Sequence, residues 1–97
     1  MKYMYITFLL FFIGCSSSLP DESLPLADHL KIGMDFLDQG KFVKAQDEFK
    51  FILSRGTGTD YGDDAQFFLA EAYFLNEQYM LSIQEYENLT RKMAFSP

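Results

Sequence analysis

The chain has 97 residues, which allows one small domain at most. Apolar residues make up 48%, enough for a core, although a large share falls in the first 14 positions and stays out of any fold. The formal net charge of −6 argues against nucleic acid and against adhesion to anionic lipid head groups.

The first stretch, MKYMYITFLLFFIG, carries one positive charge at Lys2 and then an uncharged apolar run from Tyr3 to Ile13. Eleven helical residues span roughly 16 Å, well short of a bilayer core of about 30 Å. That shape is a secretory signal peptide over residues 1–14, not a membrane anchor. Phe12-Ile13-Gly14-Cys15 places a small residue directly before the only cysteine, and Ser16-Ser17-Ser18 follows. This resembles the bacterial lipobox, in which the cysteine thiol is diacylated and the peptide is cut just before it. Phe12 stands where Leu is preferred and Ile13 where a small residue is usual. A signal peptide cleaved elsewhere would leave the abrupt change to serines at Cys15 unexplained. Cys15 is therefore the expected lipidation site. Each buried acyl methylene adds about 0.8 kcal/mol, so the several chains of a bacterial lipoprotein hold where a single chain is marginal.

With the leader and its Lys2 removed, seven basic side chains face 14 acidic ones, and no disulfide can form within the rest of the chain. Residues 15–25, with serines, two prolines and Asp21–Glu22, offer no periodic apolar face and read as an extended, mobile tether. Ser16 rather than Asp after the cysteine implies, by the same resemblance, passage to the outer membrane.

A first helical hairpin is expected over 26–54. Pro25 suits a first turn, Leu26, Leu30, Gly33 and Leu37 form one face, and Gly40 stops the helix. Phe42, Ala45, Phe49 and Ile52 form the inner stripe of its second helix. The loop Arg55–Asp64 holds three glycines, with Asp60 the expected N-cap and Asp63 and Asp64 in the next first turn. A second hairpin over 63–93 breaks near Asn76–Gln78. Its inner stripes are Leu69, Ala70, Tyr73 and Phe74, then Tyr79, Ser82, Tyr86 and Leu89.

The two hairpins are copies. A shift of 37 residues carries Ile32, Gly33, Phe36 and Leu37 onto Leu69, Ala70, Tyr73 and Phe74. The same shift carries Phe42, Ala45, Phe49 and Ile52 onto Tyr79, Ser82, Tyr86 and Leu89. This order of small and aromatic residues resembles the tetratricopeptide repeat, whose period is about 34 residues. The three extra residues are expected in the loop between copies. The expected fold class is thus all-α: two antiparallel helical hairpins, the start of an α-solenoid, behind a lipoprotein signal peptide.

Chemistry has few footholds here. His29 has no partner Cys, and its neighbour Asp28 points elsewhere on a helix, so it reads as a helix-surface histidine. Asp60, Asp63 and Asp64 lack the order of an EF-hand and are explained by capping. Arg55–Thr59 lacks the GK[ST] ending of a phosphate loop. Asn88-Leu89-Thr90 matches a glycosylation sequon on a helix and is accidental. No catalytic residue, metal site or cofactor is expected, and the aromatic stripe reads as core.

With lipobox and repeats combined, SRGTGTDYGDDAQFFLAEAYFLNEQYMLSIQEYENLTRKMAFSP resembles the BamD-type lipoproteins of the outer-membrane β-barrel assembly machinery. Typical of that family are a lipobox, a short linker, an AQ-x-x-LAE-x-YF-type helix and a Y-x-x-(A/S)-x-x-x-(Y/F)-E helix. Members carry about five repeats and this chain has two, so the sequence reads as an N-terminal fragment ending where a third hairpin would begin. A stack generally wants three units or a capping helix. The resemblance implies a lipid-anchored, non-enzymatic scaffold on the periplasmic side of the outer membrane, without nucleic acid. Its implied partners are barrel-assembly subunits and unfolded outer-membrane proteins. First helices line the concave side of such a stack, so the candidate peptide groove is Leu30, Met34 and Leu37 with Phe67, Glu71 and Phe74. The alternative is another periplasmic repeat lipoprotein, an adaptor for cell-wall enzymes.

Overall fold

The computed structural model describes residues 20–94. The expected leader, Cys15 and the first part of the tether lie outside them. Four helices follow in order: α1 (Leu26–Asp38), α2 (Phe42–Gly56), α3 (Asp60–Leu75) and α4 (Tyr79–Ala94), with no strand among the described residues. The connections 39–41, 57–59 and 76–78 are so short that successive helices must run antiparallel and side by side. Each helix packs on the next, and α1 also touches α3. No described helix is long and apolar enough to cross a membrane.

The core sits on either side of α2. Ala45, Phe49 and Ile52 from α2 meet Ala65, Leu69, Ala72 and Tyr73 from α3, and Leu26, Leu30, Phe36 and Leu37 close it from α1. Phe49 and Ile52 are fully buried, each contributing about 1.5–3 kcal/mol by leaving water. Gly33 makes room for this. A Cβ there would lie 2.5 Å from Phe49 Cε1, so only a glycine lets α1 sit against that ring.

Gly40 ends α1 as expected, at φ +75°. Lys41 N–H donates to Phe36 O (2.8 Å) and Gly40 N–H to Leu37 O (3.0 Å), the double bond of a Schellman motif. The same motif recurs 37 residues on, where Gln78 N–H donates to Tyr73 O (2.8 Å) and Glu77 N–H to Phe74 O (3.0 Å). There the left-handed position is filled by Glu77, at φ 63°.

Three expectations are corrected. The loop Arg55–Asp64 is mostly helix: α2 continues through Gly56 and α3 begins at Asp60, leaving only 57–59 between them. The hairpins therefore run over 26–56 and 60–94 rather than 26–54 and 63–93. The three extra residues of the repeat form an added turn at the start of α3, which has 16 residues against 13 in α1. The N-cap is Thr59, whose Oγ1 accepts from Gly62 N–H at 3.2 Å, and Asp60 is the first helical residue. Asp60 and Asp63 lie in the first turn, where carboxylates favour the helix dipole.

Within the expected tether, Leu24 N–H donates to Asp21 O (3.2 Å), and Asp21 Oδ1 accepts from Ser23 N–H (3.0 Å) and Oγ–H (2.7 Å). The described end of that segment is a turn, and Glu22 reaches Arg55 at 3.7 Å.

Candidate functional site

Leu30, Met34 and Leu37 become Phe67, Glu71 and Phe74 under the 37-residue shift, so the six candidate groove residues are equivalent rows on α1 and α3. Those two helices are in contact. The α1 row is largely packing: Leu30 and Leu37 are half-buried against the core, and only Met34, 40% exposed, reaches solvent. The α3 row is open. Phe67 and Phe74 are 42% and 53% exposed, and Glu71 between them is half-buried.

Helix α4 supplies the wall beside that row. Phe74 meets the Tyr79 ring edge-on with centroids 5.4 Å apart, and Phe67 meets Tyr86 in the same way at 6.1 Å. The Tyr86 hydroxyl donates to Glu71 Oε1. Burial, with the hydrogen bond and the charge of Glu71 adding to it, pushes the Tyr86 phenol up to about 12. Phe67 also leans edge-on against Phe68 at 5.4 Å, and Phe68 in turn stacks on the buried Phe49. The open row is thus braced from below by core aromatics and from one side by tyrosines. Tyr79 and Tyr86 were expected as core stripe; Tyr79 is 51% exposed and Tyr86 half-buried, so both border the candidate face. Their hydroxyls, where the first copy has Phe42 and Phe49, are the only hint of this in the sequence.

His29 departs furthest from expectation. It is fully buried rather than on the helix surface. Its Nδ1 lies 2.5 Å from Glu48 Oε2, its ring tilts against Phe51 at 4.3 Å, and its Nε2 has no partner among the described residues. The partner carboxylate comes from α2, 19 residues away, which inspection of neighbouring Asp28 could not find. No group of three or more His, Cys, Asp or Glu among the described residues is placed to hold a metal ion. The pair ties α1 to α2.

Two further hydrogen bonds fasten the second hairpin. Ser82 Oγ–H donates to Ala70 O at 2.8 Å, and Gln66 Nε2–H to Glu85 at 3.2 Å. Gln46 Nε2–H donates to Gln78 Oε1 at 2.8 Å and joins α2 to the turn before α4. Ile83, Tyr86, Glu87, Thr90 and Arg91 line a shallow depression on α4. No protein-family model and no curated protein matches this chain.

Proposed function

We propose that the chain is a non-enzymatic, lipid-anchored scaffold of tetratricopeptide-like repeats that receives unfolded polypeptide at the outer membrane, as BamD-type lipoproteins of the barrel-assembly machinery do. The observation that carries this reading is the equivalence of the rows Leu30–Met34–Leu37 and Phe67–Glu71–Phe74 on the contacting first helices of two successive hairpins. Aromatic side chains half-exposed on a rigid helix suit capture of apolar segments, because burying them on binding releases surface at little ordering cost. In this reading acylated Cys15 holds the protein to the periplasmic face of the outer membrane. Binding and positioning are the whole mechanism; no bond is made or broken.

A photo-crosslinking residue at Phe74, with a second at outward-facing Lys44 as control, tests this in cells. The expected result is adducts from Phe74 to unfolded outer-membrane proteins and barrel-assembly subunits, with few from Lys44. Cys15→Ser should move the protein to the soluble or uncleaved pool and remove those adducts. A mature protein whose mass starts elsewhere than an acylated Cys15, or equal adducts from both positions, would overturn the reading.

A further inference from the structure

The folded charge is divided unequally. Over 26–56, five acidic side chains (Asp28, Asp35, Asp38, Asp47, Glu48) are balanced by five basic ones (Lys31, Lys41, Lys44, Lys50, Arg55). Over 60–94, seven acidic side chains face only Arg91 and Lys92. Helix α3 has no basic residue, and Asp60, Asp64, Phe67, Glu71 and Phe74 recur at intervals of four and three, one stripe of a helix. The stripe is exposed throughout except for half-buried Glu71. The contacts Phe74–Tyr79 and Phe67–Tyr86 set the antiparallel register, which brings Arg91 and Lys92 to the first turn of α3. The aromatic half of the stripe, with Glu71 at its centre, has no cation of its own helix beside it. The adjoining α1 row, Leu30–Met34–Leu37, adds no charge of either sign.

From this we infer that the face of α3 takes a cationic amphipathic segment, in which a lysine or arginine is flanked by apolar residues. Phe67 and Phe74 are about 10 Å apart along the axis at 1.5 Å per residue. That spacing matches two apolar side chains two turns apart on a partner helix, or about three residues of extended chain. A basic side chain between them meets the Glu71 carboxylate, and further basic residues meet Asp64. The inference rests on the peptide-binding reading and adds the ligand's chemistry to it. A second copy of this chain is a poor occupant, since it would set one acidic stripe against another.

The test uses the full chain bearing Cys15→Ser, so that no acyl group recruits the probe. Two fluorescent 14-residue amphipathic peptides share their leucines and differ only in carrying lysine or glutamate at every polar position. Fluorescence anisotropy should show the lysine peptide binding at least tenfold tighter, a preference that shrinks in about 0.5 M salt as charges are screened. Phe74→Ala should weaken the lysine peptide about fivefold or more by removing an aromatic anchor. Asp64→Asn should weaken it roughly two- to threefold at low salt only, and Asp47→Asn on α2 should leave it unchanged. Equal weakening by Asp47→Asn and Asp64→Asn would mean diffuse attraction and overturn the site. Failure of both peptides to bind would overturn it too, as would concentration-dependent dimers that Phe74→Ala abolishes. Equal affinity for both peptides, lost together in Phe74→Ala, would overturn the cationic preference while leaving a peptide-binding face. Missing adducts to barrel-assembly subunits would instead fail the broader reading, with this comparison untouched.

Discussion

The two hairpins use one pattern of residues to different ends. In the first, Phe49 is fully buried against Gly33, and Ala45 is fully buried in the same helix. In the second, Tyr86 takes the place of Phe49 and gives its hydroxyl to Glu71, while Ser82 replaces Ala45 and bonds to Ala70 O. The reason is position. Helix α2 is covered by α1 and by α3, whereas among the described residues α4 packs on α3 alone. A ring covered on both sides is best left apolar, because a buried hydroxyl must find a partner. A ring covered on one side can carry a hydroxyl that is partnered by a neighbouring carboxylate. At the Phe49 and Tyr86 positions the repeat keeps the ring and the covering of each helix goes with its polarity, whereas Phe36 and the buried Tyr73 differ the other way.

The sharpest way to break this comparison is truncation of the equivalent rings. Phe49→Ala should cost about 3–5 kcal/mol, a large part of any small domain's stability, and Tyr86→Ala clearly less, as read by urea unfolding. Equal losses would mean that α2 is no better buried than α4. Next in size is overpacking: Ala45→Leu should cost about 1–3 kcal/mol. Placing leucine at outward Lys44 instead should stay within about 0.5 kcal/mol. Similar costs at both positions would put the helix phase in error.

The helix-ending turns give a smaller effect with opposite signs. A left-handed backbone costs an L-residue roughly 1–2 kcal/mol, and glycine almost nothing. Gly40→Ala should accordingly destabilise by about 1 kcal/mol, while Glu77→Gly should stabilise by about as much, visible as opposite shifts in Tm. Two shifts of the same sign would deny that the turns are equivalent. The smallest expected effect is a pH dependence confined to the second hairpin. The Tyr86 phenol is raised from 10.0 to about 12 in the fold, so the folded state holds its proton where the unfolded chain has lost it. Its stabilising contribution is fully present below pH 10.0 and fades as pH rises toward 12. The stability difference between the parent and Tyr86→Phe should fall over that window, and a flat difference would mean that burial and Glu71 together do not raise the phenol.

Helix number, the 37-residue offset and the Gly40 stop were all legible in the sequence, because each depends on local spacing. Ala45, Phe49, Ile52, Leu69 and Ala70 proved buried as their stripes implied. The start of α3 was not legible, since glycines suggested a loop while Thr59 and the acids after it cap and extend a helix. The pairing of His29 with Glu48 was hidden for another reason: it joins two helices, and nothing within either helix marks the partner. The candidate rows were legible as positions, but not in their difference. Only the packing of α1 against the core separates half-buried Leu30 and Leu37 from open Phe67 and Phe74.

Gly62 lies so close to the carbonyl of Gly56 that a side-chain carbon could not fit, and the nearest atoms it would meet are backbone that cannot swing aside. Here α3 lies against the end of α2 by main chain. A single methyl at Gly62 would act as a wedge, tilting α3 relative to α2 and so fanning the α1 and α3 rows apart. Neither row would have changed a single residue, yet a segment spanning both would lose its simultaneous hold. If the face binds a segment as proposed, its hold would thus depend on a residue that never meets that segment.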